Sequence, residues 1–234
     1  MKEEVRPALE QTLRDLNLDY LDLYLMHWPI ALKPGVGFPA SGNDFLSPEE
    51  IPVAVTWAAM EQCVTSGLTK HIGVSNFSIK KLKALNANSN IKVEVNQVEL
   101  HPFLQQNSML EFCQKENIVL TAYSPLGSSD RPAVFKAPDE PSLLENPTIE
   151  EIASANNCST AKVLISWAIQ RGTSVIPKSV NPARIQQNYD AASITLSEAD
   201  MQKIAGMDRH ARYVGGEFWA MPGSGYSIET LWDE

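Results

Sequence analysis

The chain has 234 residues, of which 44% are hydrophobic and 20% are charged, and its formal net charge at pH 7 is -9. The length suits one sizeable core, and we predict a single domain over residues 1–234. The acidic balance, with no run of lysine or arginine, argues against a nucleic-acid partner, and no apolar run reaches the roughly 18 residues of a membrane span. A cytoplasmic location without a metal site is expected, because the N-terminus lacks the apolar core of a signal peptide and the cysteines form no ligand or disulfide pattern.

Hydrophobic periodicity predicts helices that alternate with short apolar strands along the chain. The first helix is amphipathic, with Val5, Leu9 and Leu13 on its apolar face, and it leads to an apolar strand that ends at His27 before Pro29. The same order then repeats four times. The further predicted strands are His71 to Ser75, Val93 to Glu99, Ile118 to Ser124 and Ser174 to Ser179.

Capping residues mark the predicted helix starts between these strands. The segment 47–50, Ser-Pro-Glu-Glu, has the chemistry of a helix start, and Thr148 with Glu151 predicts a capping box. Ser197 with Asp200 predicts the start of the last helix, which is expected to end near Gly206. The other helices are expected at 78–85, 107–116, 159–170 and 181–188.

Alternating strands and helices imply parallel strands, which leaves an open doubly wound sheet or a (β/α)8 TIM barrel. No GxGxxG segment follows a predicted strand, and this absence favours the barrel. Polar residues also stand where the strands end, and in a parallel barrel those ends meet on one face. The five ends carry His27-Trp28, Ser75-Asn76, Gln97, Tyr123-Ser124 and Lys178-Ser179.

Five segments of the chain resemble, in the same order, the signature segments of the aldo-keto reductases. The resemblance implies a (β/α)8 barrel that binds NADP(H) in an extended form and reduces aldehydes or ketones to alcohols by hydride transfer. The family also contains potassium-channel β subunits, but the single-domain reductases are more similar in segment 96–102. The segments are 23–29 (LYLMHWP), 72–77 (IGVSNF), 96–102 (NQVELHP), 122–128 (AYSPLGS) and 176–179 (IPKS).

The resemblance assigns one group of residues to the nicotinamide. Ser75, Asn76 and Gln97 match the family residues that hold the carboxamide, a group that needs both donors and acceptors. Tyr123 matches the aromatic residue on which the nicotinamide ring stacks. We therefore expect one face of the ring to remain open to the substrate.

A second group matches the phosphates and the adenosine. Lys178, Ser179 and Arg184 match the residues that bind the 2′-phosphate, which implies a preference for NADPH over NADH. Asn188 matches an adenine contact, whereas Gln187 stands where many members have glutamate. The loop expected to pass the pyrophosphate carries Ser124, Leu126 and Ser128.

The substrate side is assigned in the same way. His27 matches the catalytic histidine that orients the substrate carbonyl, and Trp28 is similar to the aromatic wall of the pocket, although plain core packing is the alternative for a tryptophan. Family members close the pocket with a C-terminal loop, so Phe218, Trp219 and Met221 are candidates for substrate contact. The resemblance implies a small carbonyl or alcohol substrate.

The family's general-acid tyrosine, its lysine and its aspartate lie on strands that precede the strand of His27. We find no counterpart for them, so we expect an incomplete barrel without the first three βα units. A truncated gene product, an isoform and an incomplete gene model all fit this pattern. General acid catalysis contributes about 10²- to 10⁴-fold, so impaired activity is expected, with a non-catalytic NADP-binding or partner-binding fragment as the alternative. Open strand edges at His27 and Lys178 would allow oligomers to form.

Overall fold

The structure is a computed structural model, and it describes residues 2–137 and 140–233. Helices and strands alternate as the periodicity predicts, and all five predicted strands are present. In chain order the elements are α1 (Lys2–Leu16), β1 (Leu21–Met26), β2 (Ala31–Leu32), β3 (Phe45–Leu46), α2 (Val53–Thr65), β4 (Thr69–Ser75), α3 (Ile79–Asn88), β5 (Val95–Glu99), α4 (Asn107–Lys115), β6 (Val119–Tyr123), α5 (Pro147–Ala155), α6 (Thr160–Gln170), β7 (Ser174–Val175), α7 (Pro182–Asp190), α8 (Glu198–Ala205) and α9 (Ile228–Trp232).

The contacts divide the chain into two compact units. The first unit contains the residues up to Asn96, the short segment 115–118 and the tail from Gly215 onward. The second unit contains residues 97–114 and 119–214. A single domain over residues 1–234 stays a prediction.

In the first unit β1 pairs with β4 in parallel, from Leu21 opposite Thr69 to Met26 opposite Val74. The strand order continues from β4 to β5. Gly73 permits the close approach of β5, because a Cβ atom there would lie 2.5 Å from the carbonyl oxygen of Val95. The helices α1 and α2 pack through a core of Leu9, Leu13 and Cys63.

The second unit contains the rest of β5, followed in strand order by β6 and β7. β6 and β7 are parallel, with Thr121 opposite Ser174 and Ala122 opposite Val175. The prediction of a longer last strand, Ser174 to Ser179, is wrong, because Pro177 has no N–H to donate to a ladder. The α/β class with a parallel sheet is confirmed, and the incomplete (β/α)8 barrel stays a prediction.

Two short features differ from the sequence-based expectations. The antiparallel pair β2 and β3 was not predicted, because strands of two residues each are too short to show an alternating pattern. Thr148 and Glu151 do not form the predicted capping box at α5. The N-cap is Asn146, whose side-chain oxygen accepts hydrogen bonds from the backbone N–H of Thr148 and Ile149, with Pro147 in the first helical turn.

The helix expected after segment 47–50 begins later than its chemistry indicates. Ser47 and Glu50 do exchange hydrogen bonds between side chain and backbone, at 2.7 and 3.2 Å. These hydrogen bonds close only a turn. Helix α2 starts at Val53, because Pro52 disfavours helical geometry in Ile51, the residue before it. The predicted start of α8 at Ser197 is confirmed, and Ser197 and Asp200 form a capping box there. Among the helices of the described residues, none is long and apolar enough to cross a membrane.

Candidate substrate and cofactor sites

An aromatic cluster follows β1 in the first unit and includes the predicted pocket residue Trp28. Its side chain is 8% exposed. The rings of Phe218, Trp219 and Trp232 meet it edge-on, with centroid separations of 5.8, 5.8 and 5.7 Å. The His27 ring lies 6.2 Å from Trp28. The structure therefore brings four of the five residues predicted for the substrate side into one cluster, in which Trp28 is buried, and the role of Trp28 as a pocket wall stays a prediction.

The predicted tail residues reach this cluster through a tight turn. Gly216 has φ +89, and a Cβ atom there would lie 2.6 Å from the Cδ2 atom of Leu231. The 3-10 turn Glu217–Trp219 follows directly and carries Phe218 and Trp219. Met221, the third tail candidate, is half-buried.

Several aromatic members of the cluster were missed by the sequence-based reasoning, among them Phe38 and Trp232. Phe38 is 59% exposed and packs against Phe218 at 5.8 Å and Trp219 at 6.0 Å. Trp232 contacts Trp28 from α9. Phe38 and Trp232 lie in short elements and loops, where no periodic pattern indicates their ring contacts, so only distant contacts in the fold identify them.

His27 is exposed in part, and the protein around it removes enough water to lower the pKa of its imidazole. The histidine is therefore neutral near pH 7, with one N–H donor and one acceptor nitrogen. Its backbone is fixed as well, because the Nδ2 atom of Asn76 donates to its carbonyl oxygen at 2.9 Å.

Ser75 and Asn76, the predicted carboxamide residues, lie at the end of β4 in the first unit. Asn76 is 1% exposed and has φ +63, a left-handed conformation that asparagine tolerates better than most residues. Its Nδ2 atom also lies 3.2 Å from the Oγ atom of Ser75. The amide nitrogen of Asn76 thus links Ser75 to the backbone of His27, two positions that the sequence analysis assigned to separate roles.

The second unit contains a cavity of about 730 Å³ between the loop after β6, the start of α6 and the segment from β7 into α7. The cavity gathers seven of the predicted cofactor residues. Gln187, the position that departs from the family pattern, lines it as well. The seven are Ser124, Leu126, Ser128, Lys178, Ser179, Arg184 and Asn188.

The N-terminus of α7 supplies a positive electrostatic environment for this cavity. Asn181 is the N-cap and accepts the backbone N–H of Arg184 at 3.2 Å, with Pro182 at the first helical turn. The Oγ atom of Ser179 accepts the N–H of Asn181 at 3.2 Å. No residue of α7 is buried, so the backbone dipole and the guanidinium both face an accessible site.

Lys178 is engaged on the surface of this cavity. Its Nζ atom lies 2.7 Å from the Oδ2 atom of Asp130, with side chains 68% and 63% exposed. The hydrogen bond from Lys178 lowers the pKa of Asp130. Such exposed pairs contribute about 0.2–1 kcal/mol to stability, so separating Lys178 from Asp130 requires little free energy.

Tyr123 and Gln97 complete the predicted cofactor residues. Tyr123 is the last residue of β6 and is half-buried, and burial together with the charge of Glu99 raises the pKa of its phenol. Gln97 is half-buried inside β5, two residues before the strand ends, so the prediction that it stands at a strand end is wrong. The predicted end of this strand, Glu99, agrees with the structure, so the ladder continues past Gln97 through Val98 and Glu99.

Residues 2–137 and 140–233 contain no group of three or more histidine, cysteine or acidic side chains that could bind a metal ion. Cys63, Cys113 and Cys158 are free thiols, and burial raises the pKa of Cys113 to about 12. Cys113 therefore remains an uncharged thiol at neutral pH.

Comparison with known proteins identifies the family of this chain. The model of the aldo/keto reductase family matches residues 1–209. The chain is 57% identical over 232 residues to an aldo/keto reductase of Synechocystis, covering 99% of this chain and 71% of that protein. It is 45% identical to aldo-keto reductase family 1 member A1 of Gallus gallus and 41% identical to that of Sus scrofa, each over 91% of this chain. It spans 64% and 65% of the length of these two relatives. The chain belongs to the aldo/keto reductase family, whose members are oxidoreductases.

Proposed function

We propose that this chain binds NADP(H), with preference over NAD(H), and serves the reversible reduction of small aldehydes or ketones to alcohols. The observation that carries the proposal is the cavity of about 730 Å³ in the second unit, where Lys178, Ser179 and Arg184 lie together at the start of α7. A 2′-phosphate dianion is the group that a lysine, a guanidinium and a helix N-terminus bind together. NAD(H) lacks this phosphate.

The donor set of the cavity fits a nucleotide cofactor. Ser124 and Ser128 offer hydroxyl groups, and both have positive φ values, 49 and 48, which fold the loop tightly between them. Asn188 and Gln187 offer amides at the far side of the phosphate residues. When bound, the cofactor would supply the hydride, and these residues would hold its phosphates and adenosine.

On the substrate side we assign binding and orientation to His27 and Trp28. Because the lowered pKa leaves the imidazole neutral, its N–H can donate to a carbonyl oxygen, but it is a weak proton donor at neutral pH. The edge-packed rings of Trp28 and Phe218 offer an apolar wall for the body of the substrate. We infer that turnover by this chain is slow, by about 10²- to 10⁴-fold, where no other group supplies the proton.

The cofactor proposal is tested by titration with NADPH and NADH, followed by quenching of tryptophan fluorescence. Lys178→Met and Arg184→Met should each weaken NADPH binding by roughly 10- to 100-fold, the range for a lost hydrogen bond to a charged group, and leave NADH binding unchanged. Lys203→Met is the matched control, since Lys203 forms a similar 2.7 Å surface pair with Glu151. Equal affinity for both cofactors in every variant would contradict the proposal.

Turnover is tested with the same protein by following NADPH oxidation with 4-nitrobenzaldehyde and glyceraldehyde. Oxidation that depends on His27 supports a reductase. Cofactor binding without oxidation of either aldehyde overturns the catalytic proposal and leaves a non-catalytic NADP-binding module of the same family. If the protein neither binds NADPH nor oxidises it with either aldehyde, both the reductase and the NADP-binding module are excluded.

We also propose that the protein works in the cytoplasm and that it self-associates at the edge of β1. Large apolar side chains are exposed around this edge: Leu16 by 56%, Leu18 by 51% and Leu23 by 37%. Exposed apolar surface beside a strand edge favours association. Sedimentation velocity should detect an oligomer that Leu18→Glu dissociates, and a monomer at all concentrations would exclude this arrangement.

A further inference from the structure

The last helix, α9, is fixed to the start of α3 by a carboxylate clamp. The Oδ2 atom of Asp233, the residue after α9, accepts hydrogen bonds from the Nζ atom of Lys81 and the Oγ atom of Ser78, each at 2.5 Å. The same Nζ atom donates to the carbonyl oxygens of Thr230 at 2.6 Å and Leu231 at 3.0 Å. Both charges thus match helix ends, with the ammonium at the C-terminus of α9 and the carboxylate at the N-terminus of α3.

Asp233 has two lysine partners, and they differ in burial. The Lys81 side chain is 23% exposed and that of Asp233 is 13% exposed. Lys80 lies 3.1 Å from the other oxygen of the carboxylate but is 81% exposed. Burial alone would raise the pKa of Asp233, but hydrogen bonds from Lys81, Ser78 and Lys80 outweigh it and lower the pKa to about 2. The carboxylate is therefore ionised at physiological pH, and its buried partner is Lys81.

The clamp continues directly into the aromatic cluster. Trp232 precedes Asp233 in the chain, and its Nε1 atom donates to the carbonyl oxygen of Gly215 at 2.7 Å. The Trp232 ring lies 5.7 Å from the ring of Trp28. Helix α9 therefore contacts both the predicted pocket wall and the backbone where the turn with Phe218 and Trp219 begins.

We propose that Asp233 and Lys81 are positioning residues that set the place of the Trp28 wall through α9. A helix of five residues is far shorter than the roughly 12 residues that an isolated helix needs, so α9 depends on its fixed end. Removing the clamp lets the helix fray and takes the Trp232 ring away from Trp28. The family model matches residues 1–209, so Asp233 and α9 lie outside that match, whereas Lys81 lies within it.

The inference rests on the proposed function in one respect, because it takes the Trp28 wall as the substrate side. A displaced wall removes apolar contact from the substrate in its ground state and transition state alike, which raises KM and leaves kcat nearly unchanged. An aromatic aldehyde loses more than glyceraldehyde, since it covers more of the wall. The clamp thus determines the preference for aromatic over small polar substrates.

The experiment compares Asp233→Asn and Lys81→Met with Lys80→Met in the full chain. Lys80→Met is the matched control, because it removes the exposed partner of the same carboxylate. Acrylamide quenching and near-ultraviolet circular dichroism report the tryptophan environment, and far-ultraviolet circular dichroism reports the fold. We expect the first two variants to increase quenching and weaken the near-ultraviolet signal with an unchanged far-ultraviolet spectrum, and to raise KM for 4-nitrobenzaldehyde about tenfold with kcat within about twofold. The control should resemble the wild type.

Wild-type quenching and dichroism in both Asp233→Asn and Lys81→Met would overturn the inference. If Asp233→Asn fails to fold, Lys81→Met decides, because it removes the less exposed lysine partner of the carboxylate and keeps all five tryptophans. Wild-type quenching and dichroism in that variant would then overturn the inference. Failure of the proposed function is recognised separately: a wild type that never oxidises NADPH removes the reductase proposal, while the spectroscopic results still decide the role of the clamp.

Discussion

The two compact units differ in the chemical character of the surface that each offers to a ligand. In the first unit, Trp28 is 8% exposed and packs edge-on against three rings, next to a neutral histidine. In the second unit, the cavity is lined by a helix without a buried residue, and its Lys178–Asp130 pair is more than 60% exposed on both sides. Apolar contacts resist salt, whereas exposed charges are screened within about 8–10 Å at ordinary ionic strength. Substitutions in the first unit should therefore alter stability, and those in the second should alter salt-dependent affinity.

The largest expected effect tests the aromatic cluster of the first unit. Trp28→Ala should lower the free energy of unfolding by about 3–5 kcal/mol, because it removes a buried ring that three other rings surround. Urea unfolding followed by far-ultraviolet circular dichroism measures the change. Phe38→Ala is the control, since Phe38 is 59% exposed in the same cluster and should cost much less. Equal losses in both variants would mean that the cluster is not a packed core.

A second effect comes from carboxylates of the first unit that are held in their ionised form. Burial alone would raise the pKa of Glu61, but hydrogen bonds from the backbone of Ile91 and from the side chain and backbone of Asn90 outweigh it and lower the pKa. The pKa of Asp233 is lowered to about 2. A lowered carboxyl pKa stabilises the protein above the unfolded pKa, and this contribution is lost as the pH falls through the folded value.

The free energy of unfolding should therefore decrease as the pH falls from about 4 to about 2, with roughly 2 kcal/mol of the loss from Asp233. Chemical unfolding at a series of pH values measures this slope. Asp233→Asn should flatten it, whereas Asp130→Asn in the second unit should not, because Asp130 is 63% exposed. An equally steep slope in Asp233→Asn would assign the acid sensitivity to other groups.

The smallest effect on stability is expected for the exposed ion pair of the second unit. Lys178→Met and Asp130→Asn should each change the free energy of unfolding by no more than about 0.5 kcal/mol, as is usual for exposed pairs. Binding should respond instead: NADPH affinity in the wild type should fall as salt is added, and more shallowly in Lys178→Met. Fluorescence titrations between low and high ionic strength measure both slopes. Salt-independent binding in the wild type would remove charge as the basis of recognition in the second unit.

The difference between the units also explains what could be predicted from the sequence. The residues of the second-unit cavity were predicted from the resemblance to the aldo-keto reductases, and Ser124, Lys178 and Ser179 also stand at predicted strand ends. Phe38 and Trp232 could not be predicted, because their ring contacts are with residues far away in sequence. Local reasoning also failed where two signals compete, as at α5, where Asn146 is the N-cap instead of Thr148.

Helix α7 has a consequence for the order in which binding and folding occur. Its nine residues bury no side chain, and a helix of this length is marginal by itself. An anion bound at its N-terminus would neutralise the partial charge there and so stabilise the helix as well as the complex. Amide hydrogen exchange across 182–190 should then slow as cofactor is added. The backbone order of this segment would then increase with ligand concentration. Part of the binding free energy would be offset by the entropy lost when the helix becomes ordered.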